Sequence, residues 1–170
     1  MDENTKQSDL EREARNWLKK RGVAVEDIAE LVFYLQSNYI EDLKMEDCIF
    51  NVNRVLAKRE VQHALLTGIQ LDVLAEESRL SDPLQNIIAR DESLYGIDEV
   101  ISFSIVNIYG SIGFTNYGFI DKQKPGILKR LNDKSSGKVN TFLDDIIGAI
   151  AAAASSRLAH SIVDDQSLDD

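Results

Sequence analysis

Two neighbouring aspartates, Asp144 and Asp145, precede a run of small residues and are the side chains best placed for chemistry. The helical period from Asp144 passes through Gly148, Ala151 and Ser155, so little side-chain bulk lies beneath the acid. Such a stripe lets neighbouring helices approach closely and enclose the carboxylates. Because an enclosed carboxylate costs free energy unless a positive group meets it, the segment predicts a cationic partner.

Two further acidic groups lie among apolar or small residues. Asp98 and Glu99, preceded by Asp91, begin one predicted helix, and Asp121 stands close to Lys124. If the fold gathers these acids beside the aspartate pair, their repulsion must be relieved by raised pKa values or by a hard divalent ion, Mg²⁺ or Mn²⁺. A carboxylate at a helix start also stabilises free backbone N–H groups, so simple helix capping stays open as the alternative.

Other kinds of site find little support. His63 and His160 are too far apart in sequence to form a local pair of metal ligands, and both are predicted to lie near the surface. A lone Cys48 excludes an internal disulfide and a multi-cysteine zinc site, and its apolar helical neighbours predict burial. The glycines of residues 110–113 are not followed by the lysine of a phosphate-binding loop.

Composition limits the partners and the location. The chain has 170 residues, a formal net charge of −10 and no basic cluster resembling a nucleic-acid groove, so nucleic acid is not an expected partner. Its longest apolar runs fall short of the roughly 18–20 residues that span a bilayer. Without a signal peptide, a cytoplasmic protein is expected, with attachment at the periphery of the membrane as an alternative.

The elements that must position the acids are helices. Only 2 prolines and 9 glycines, with helical apolar periodicity from end to end, predict an all-α, single-domain bundle of about six to eight helices. The domain is expected over residues 9–163, between a flexible tail at 1–8 and an acidic tail at 164–170. Glycines and aromatics at 109–124 predict irregular backbone there, and Lys19-Lys20-Arg21 is expected to be a solvated helix end.

Three short motifs, in order, resemble the phosphatidylglycerophosphatase A family. They are Asp91…Ile97-Asp98-Glu99, Asp121-Lys122-Gln123-Lys124-Pro125, and Gly137…Leu143-Asp144-Asp145-Ile146-Ile147-Gly148-Ala149. The resemblance covers roughly residues 85–160. It implies a Mg²⁺-dependent phosphatase that removes the terminal phosphate of phosphatidylglycerophosphate to give phosphatidylglycerol.

The resemblance also implies roles for individual residues. Carried over by position, the catalytic residues are Asp98, Asp121 and Asp144, the metal ligands are Asp98, Glu99, Asp144 and Asp145, and the phosphate ligand is Lys124. The implied partner is a phosphomonoester, with a phospholipid as the family's substrate. An acidic protein can attract such an anion only if bound cations reverse the local field.

The departures from the family pattern keep other functions open. Gly118 replaces an arginine of the family, and the segment between the first two motifs is shorter and less hydrophobic than in membrane-bound members. The chain therefore resembles a soluble, shortened, divergent branch of the family, with an altered substrate. The alternative is a catalytically inactive helical module that binds metal or another ligand. A homo-oligomer is the third alternative, assembled through the small-residue face at 151–155 and the apolar stretch at 110–119.

Overall fold

A long helix of small residues, α9 (Leu143–Gln166), forms the centre of the protein in the computed structural model, which describes residues 8–166. Residues 143–156 of this helix are buried throughout. Because eight of these 14 buried residues are glycine, alanine or serine, other helices can pack against α9 on several sides. The start of α9, with its two aspartates, is therefore held inside the fold.

Eight further α-helices surround or support α9 within the described residues, which contain no strand. In order they are α1 (Asp9–Lys20), α2 (Val25–Gln36), α3 (Met45–Leu56), α4 (Arg59–Glu76), α5 (Leu84–Arg90), α6 (Ile97–Val106), α7 (Ser111–Gln123) and α8 (Ile127–Leu131). The all-α, single-domain prediction is confirmed, and the short α8 brings the number of α-helices within residues 8–166 to nine. Residues 1–7 and 167–170 of the predicted tails lie outside the described residues, whereas helix α9 continues through 164–166.

The end of α1 confirms the prediction of a solvated basic run at Lys19 and Lys20, which are exposed, and corrects it at Arg21. The Arg21 side chain is only 7% exposed. Its guanidinium donates to Glu76 of α4 at 3.0 Å, to the Val139 carbonyl at 2.8 Å and to Asn140 Oδ1 at 2.9 Å. Glu76 in turn accepts from the Val139 amide at 2.9 Å. This network fixes the loop that leads into α9.

The prediction of irregular backbone at 109–124 is wrong, because α7 occupies most of that stretch. Gly113 sits where helices approach closely: a Cβ there would lie 3.0 Å from Val106 Cγ1 and 3.2 Å from Ser156 Oγ. Glycine at this position therefore allows the tight packing of α7 on its neighbours. The aromatic residues Phe103 and Tyr117 meet edge to face, with ring centroids 5.6 Å apart, and join α6 to α7.

Two expectations about surfaces have different outcomes. The predicted interface at 151–155 is wrong, because this stripe is buried inside its own chain and cannot receive a second copy. Cys48 is buried and both histidines are exposed, as predicted. Within residues 8–166, no helix combines the length and apolarity needed to cross a membrane.

Glycine 68 controls how closely α4 approaches the start of α9. A Cβ at Gly68 would collide with Ile146 Cδ1 and lie 3.0 Å from Phe142 Cβ. We expect Gly68→Ala to lower the free energy of unfolding by about 1–3 kcal/mol through overpacking, as measured by urea denaturation. Gly118→Ala is the matched control, since its Cβ meets nothing within 4 Å, and it should be neutral or stabilising. Equal effects of the two substitutions would contradict this packing.

Candidate functional site

All the acidic residues identified as candidates in the sequence line one pocket of about 440 Å³. Its wall is formed by the loop at 91–96, the start of α6, the end of α7 and the start of α9. The predicted site residues on this wall are Asp91, Asp98, Glu99, Asp121, Lys124, Asp144 and Asp145, joined by Glu92, Asn132 and Lys134. The volume is within the range of small-molecule sites. Seven acidic residues and two lysines line the pocket.

Lys124 lies at the convergence of the acids. Its Nζ donates to Asp121 Oδ1 at 2.6 Å and to Asp144 Oδ2 at 2.9 Å, and it lies 3.7 Å from Asp145 Oδ1. The three carboxylates come from two helices, α7 and α9. One ammonium group thus joins the second and third sequence motifs, while Asp98 and Glu99 of the first motif line the same pocket.

Unfavourable backbone conformations concentrate around this pocket. Lys124 ends α7 in the left-handed region, with φ 47°, a position usually taken by glycine. Asp91 and Leu94, also in the pocket wall, have φ of 50° and 67°. Left-handed backbone at non-glycine residues costs free energy and often accompanies function. Lys124 has this left-handed conformation at the point where its side-chain ammonium lies between Asp121 and Asp144.

Asp72, which sequence reasoning missed, caps α9 from a different helix. It is fully buried in α4, and its carboxylate accepts from the Phe142 amide at 3.0 Å and from the Leu143 amide at 2.9 Å. Burial raises its pKa well above the ordinary value, while those two amides and Arg21 act in the opposite direction. Asp72 satisfies the Phe142 and Leu143 amides, and the Asp144 carboxylate also takes part in capping, since it accepts from the Asp145 amide at 2.8 Å.

Removing the Asp72 carboxylate should destabilise the protein. Asp72→Ala leaves two buried amides without their acceptor, and we expect a loss of about 2–3 kcal/mol in the free energy of unfolding. Asp72→Asn should lose less, since its amide oxygen can still accept. Urea denaturation provides the measurement, with Asp47→Ala, at an exposed position of α3, as a control expected to change the free energy of unfolding by less than about 0.5 kcal/mol. An Asp72→Ala protein as stable as the control would refute the capping role.

The pocket holds more negative charge than its lysines balance. Burial raises the pKa of Asp145, and the neighbouring Asp144 carboxylate raises it further against the opposing Lys124 ammonium. The pKa of Asp144 is also raised by burial, which outweighs Lys124. For Lys124, burial lowers the pKa, but Asp144 and Asp121 outweigh it and raise the pKa above 10.5. Lys124 therefore stays protonated, and the aspartate pair needs a proton or a further cation.

These shifts fix the pH dependence of the metal-free protein. A carboxyl group whose folded pKa lies above 3.8 stabilises the fold while protonated and loses that contribution as the pH rises. The Lys124 contribution disappears only above pH 10.5, outside this range. In EDTA between pH 5 and 9, we expect the free energy of unfolding to fall with pH, by up to about 1.4 kcal/mol per unit for each proton released. Asp145→Asn should flatten the slope, whereas a wild-type slope of zero or positive sign would contradict the raised pKa.

The carboxylate set fits Mg²⁺ in the kind of donor it offers, because hard divalent ions prefer carboxylate oxygens. In the part of the chain that the structure describes, no three His, Cys, Asp or Glu side chains form a ready-made metal cage. Asp121, Asp144 and Asp145 instead surround Lys124 Nζ, at 2.6, 2.9 and 3.7 Å. The Asp145 carboxylate, 8% exposed, has that lysine at 3.7 Å as its ion-pair partner among the described residues, which leaves it available to a second cation.

The helical fold and the lysine-centred acid pocket define an all-α protein with a carboxylate-lined site. Residues 16–160 match the family model described as Phosphatidylglycerophosphatase A, and the chain belongs to that family. It is 70% identical over 160 residues to the uncharacterized protein YutG of Bacillus subtilis strain 168, covering 94% of this chain and 96% of YutG.

Two solved structures are similar to this fold. A protein of unknown function from Bacillus stearothermophilus has 72% identity and a TM-score of 0.89, covering 92% of this chain and 98% of its own. The low temperature requirement C protein from Listeria monocytogenes has 64% identity and a TM-score of 0.91, covering 92% of this chain and 99% of its own.

Proposed function

We propose that the acid pocket is the active site of a divalent-metal-dependent phosphatase that acts on phosphatidylglycerophosphate or a closely related phosphomonoester. The observation that carries the proposal is the Lys124 ammonium, held between Asp121 and Asp144 in a pocket that also contains Asp98 and Glu99. Family membership supports the reaction class. Phosphate transfer needs positive charge around the phosphoryl oxygens and acids that handle protons and metal.

The residues of the chain divide these tasks. Asp98, Glu99, Asp144 and Asp145 would hold Mg²⁺ or Mn²⁺, which supplies neutralisation of the phosphate and a bound water of lowered pKa. Lys124 binds a phosphate oxygen, because its raised pKa keeps it charged. Asp121 holds Lys124 in place through the 2.6 Å hydrogen bond. Asp144, with its raised pKa, can accept a proton near neutral pH.

The test is phosphate release from phosphatidylglycerophosphate and from a water-soluble phosphomonoester, measured with Mg²⁺, with Mn²⁺ and with EDTA. The proposal requires turnover that depends on the divalent ion and returns when the ion is restored. Absence of turnover on every phosphoester under all three conditions would refute it.

A catalytically inactive module that binds metal or another ligand is the second candidate, and two observations favour it. Gly118 stands where the family has an arginine, so one bidentate phosphate ligand is lost. Lys124 also balances part of the acid charge without any metal. This candidate predicts calorimetric binding of Mg²⁺ or Mn²⁺ with no phosphate release.

A further inference from the structure

A second pocket has the opposite charge from the acid pocket. It has a volume of about 210 Å³ and lies between the end of α1, the end of α8 and the loop that leads into α9. Its wall, called the basic pocket below, consists of Lys20, Arg21, Arg130, Leu131, Ser136, Lys138 and Asn140. Four of these residues are cationic and none is acidic, although the chain has 29 acidic residues against 19 lysines and arginines. The basic pocket therefore departs from the charge of the rest of the molecule.

The positive charge of the basic pocket is only partly neutralised. Glu76 is the one carboxylate that pairs with its cations among the described residues, at 3.0 Å from Arg21 Nη2 and 3.2 Å from Lys138 Nζ. Lys20 and Arg130 form no ion pair within residues 8–166. With that one carboxylate counted, the four cations keep a net charge of +3. The local field therefore attracts an anion without the help of a metal ion.

Arg21 has hydrogen-bond donors that the fold does not use. Its three side-chain hydrogen bonds, to Glu76, to the Val139 carbonyl and to Asn140, all leave from Nη2. No hydrogen bond within residues 8–166 uses its Nη1 or Nε, although the side chain is only 7% exposed. Fixing the loop before α9 thus accounts for Nη2 alone. A guanidinium binds oxyanions through paired N–H groups, so the remaining donors indicate an anionic ligand.

We propose that the basic pocket binds a small phosphate-bearing anion, either free phosphate or the phosphate group of a small water-soluble molecule. The pocket is smaller than the roughly 300–1,000 Å³ of most drug-sized ligand sites, which limits the size of the ligand. A phosphate group carries a charge of about −1.5 to −2 at neutral pH and three acceptor oxygens. It therefore matches several cations better than a single carboxylate does. The proposal goes beyond the phosphatase activity, because this site contains no carboxylate and needs no metal.

The basic pocket is separate from the acid pocket but close to it. A cavity of about 90 Å³ lies between them and shares residues with both. It shares Leu131, Lys138 and Asn140 with the basic pocket, and Asp91, Asn132 and Lys134 with the acid pocket. No residue lines both the basic pocket and the acid pocket. Substitutions can therefore test the two sites independently.

Phosphate binding in EDTA provides the test. Calorimetric titrations of the full chain with inorganic phosphate and with phenyl phosphate measure the two affinities. EDTA removes divalent ions, so the excess of acidic residues in the acid pocket repels anions there. We expect binding that weakens as salt is added, because part of the basic pocket is exposed. Tighter binding of phenyl phosphate would identify a phosphomonoester as the ligand, and tighter binding of phosphate would identify the free anion.

Arg130→Gln and Lys138→Gln are the test variants, since both residues are exposed. Each removes one cation from the basic pocket and should weaken phosphate binding roughly tenfold. Arg130→Lys should lose less, because it keeps the charge without the planar fork. Lys129→Gln is the matched control: it removes a charge at the neighbouring exposed position of α8, outside the pocket, and should bind as wild type. Circular dichroism melts verify that each variant is folded.

The outcomes separate this site from the proposed phosphatase. Phosphate that shifts the NMR signals of amides at 130–138, and binds more weakly to Arg130→Gln and Lys138→Gln than to Lys129→Gln, supports the basic pocket even if no substrate is hydrolysed. Binding lost in Lys124→Met but unchanged in Arg130→Gln places the anion in the acid pocket and overturns the proposal while the phosphatase stands. Absence of binding to wild type, or equal binding by wild type and both test variants, also overturns it.

Discussion

Asp144→Asn is expected to reduce metal-dependent phosphate release from phosphatidylglycerophosphate on the order of 10³-fold. Asparagine keeps the shape and one acceptor oxygen, but it removes the charge that faces Lys124 at 2.9 Å and that would contact a divalent ion. The loss should appear in kcat at saturating substrate. Calorimetric titration with Mn²⁺ should show weaker binding in the same variant.

The control separates site chemistry from helix stabilisation. Asp47→Asn changes an acid in the first turn of α3, whose side chain is exposed, and it should leave turnover unchanged. Asp144→Asn should stay folded, since Asp72 continues to cap α9. If Asp144→Asn turns over substrate as wild type does, the assigned site is wrong and the aspartate serves the helix alone.

Lys124→Met is expected to change catalysis and metal binding in opposite directions. The substitution removes the proposed phosphate ligand, so turnover should fall by at least about 10²-fold. It also removes a cation that lies within 4 Å of three carboxylates, so the affinity for Mn²⁺ should rise roughly tenfold. Phosphate release and calorimetric titration on the same preparation measure both effects.

Lys134→Met is the matched control, since Lys134 also lines the pocket but is largely exposed and pairs only with Asp91, at 3.5 Å, among the ion pairs of the described residues. It should change either quantity less than about threefold. Equal effects of the two substitutions would mean that Lys124 has no special position. Loss of metal binding in Lys124→Met would mean that the lysine organises the acids instead of competing for them.

The fold was predictable where side-chain size and periodicity carry the information. The small residues of α9 predicted a helix that others enclose, and the structure places it at the centre. The error at 109–124 has a physical reason. Glycine lowers helix propensity, but Gly113 serves the close contact between α7 and α9, and that requirement is tertiary.

The residues that line the site could be predicted from the sequence, but their spatial arrangement could not. Helix-start acids within apolar surroundings, together with the family motifs, selected residues that the structure brings to one pocket. Their catalytic and metal-binding roles stay predictions. That Lys124 would bridge two helices depends on the left-handed turn at the end of α7, which no local pattern at a lysine indicates.

The burial of Asp72 could have been predicted from its position in the sequence. It follows Gly68 by four residues and Ile69 by three, so it stands on the buried stripe of α4. A lone carboxylate on an apolar helical face must find buried donors. The identity of those donors, the amides at the start of α9, depends on a contact between residues about seventy positions apart and could not be read from α4.

A crystal soaked in Mn²⁺ would show whether the acid pocket binds a divalent ion, because anomalous scattering locates the ion without reference to activity. We expect an anomalous peak inside the acid pocket, from an ion bound by carboxylate oxygens of Asp144 and Asp145 together with Asp98 or Glu99. A map with no anomalous peak in the pocket, and with Lys124 still bridging Asp121 and Asp144, would contradict it.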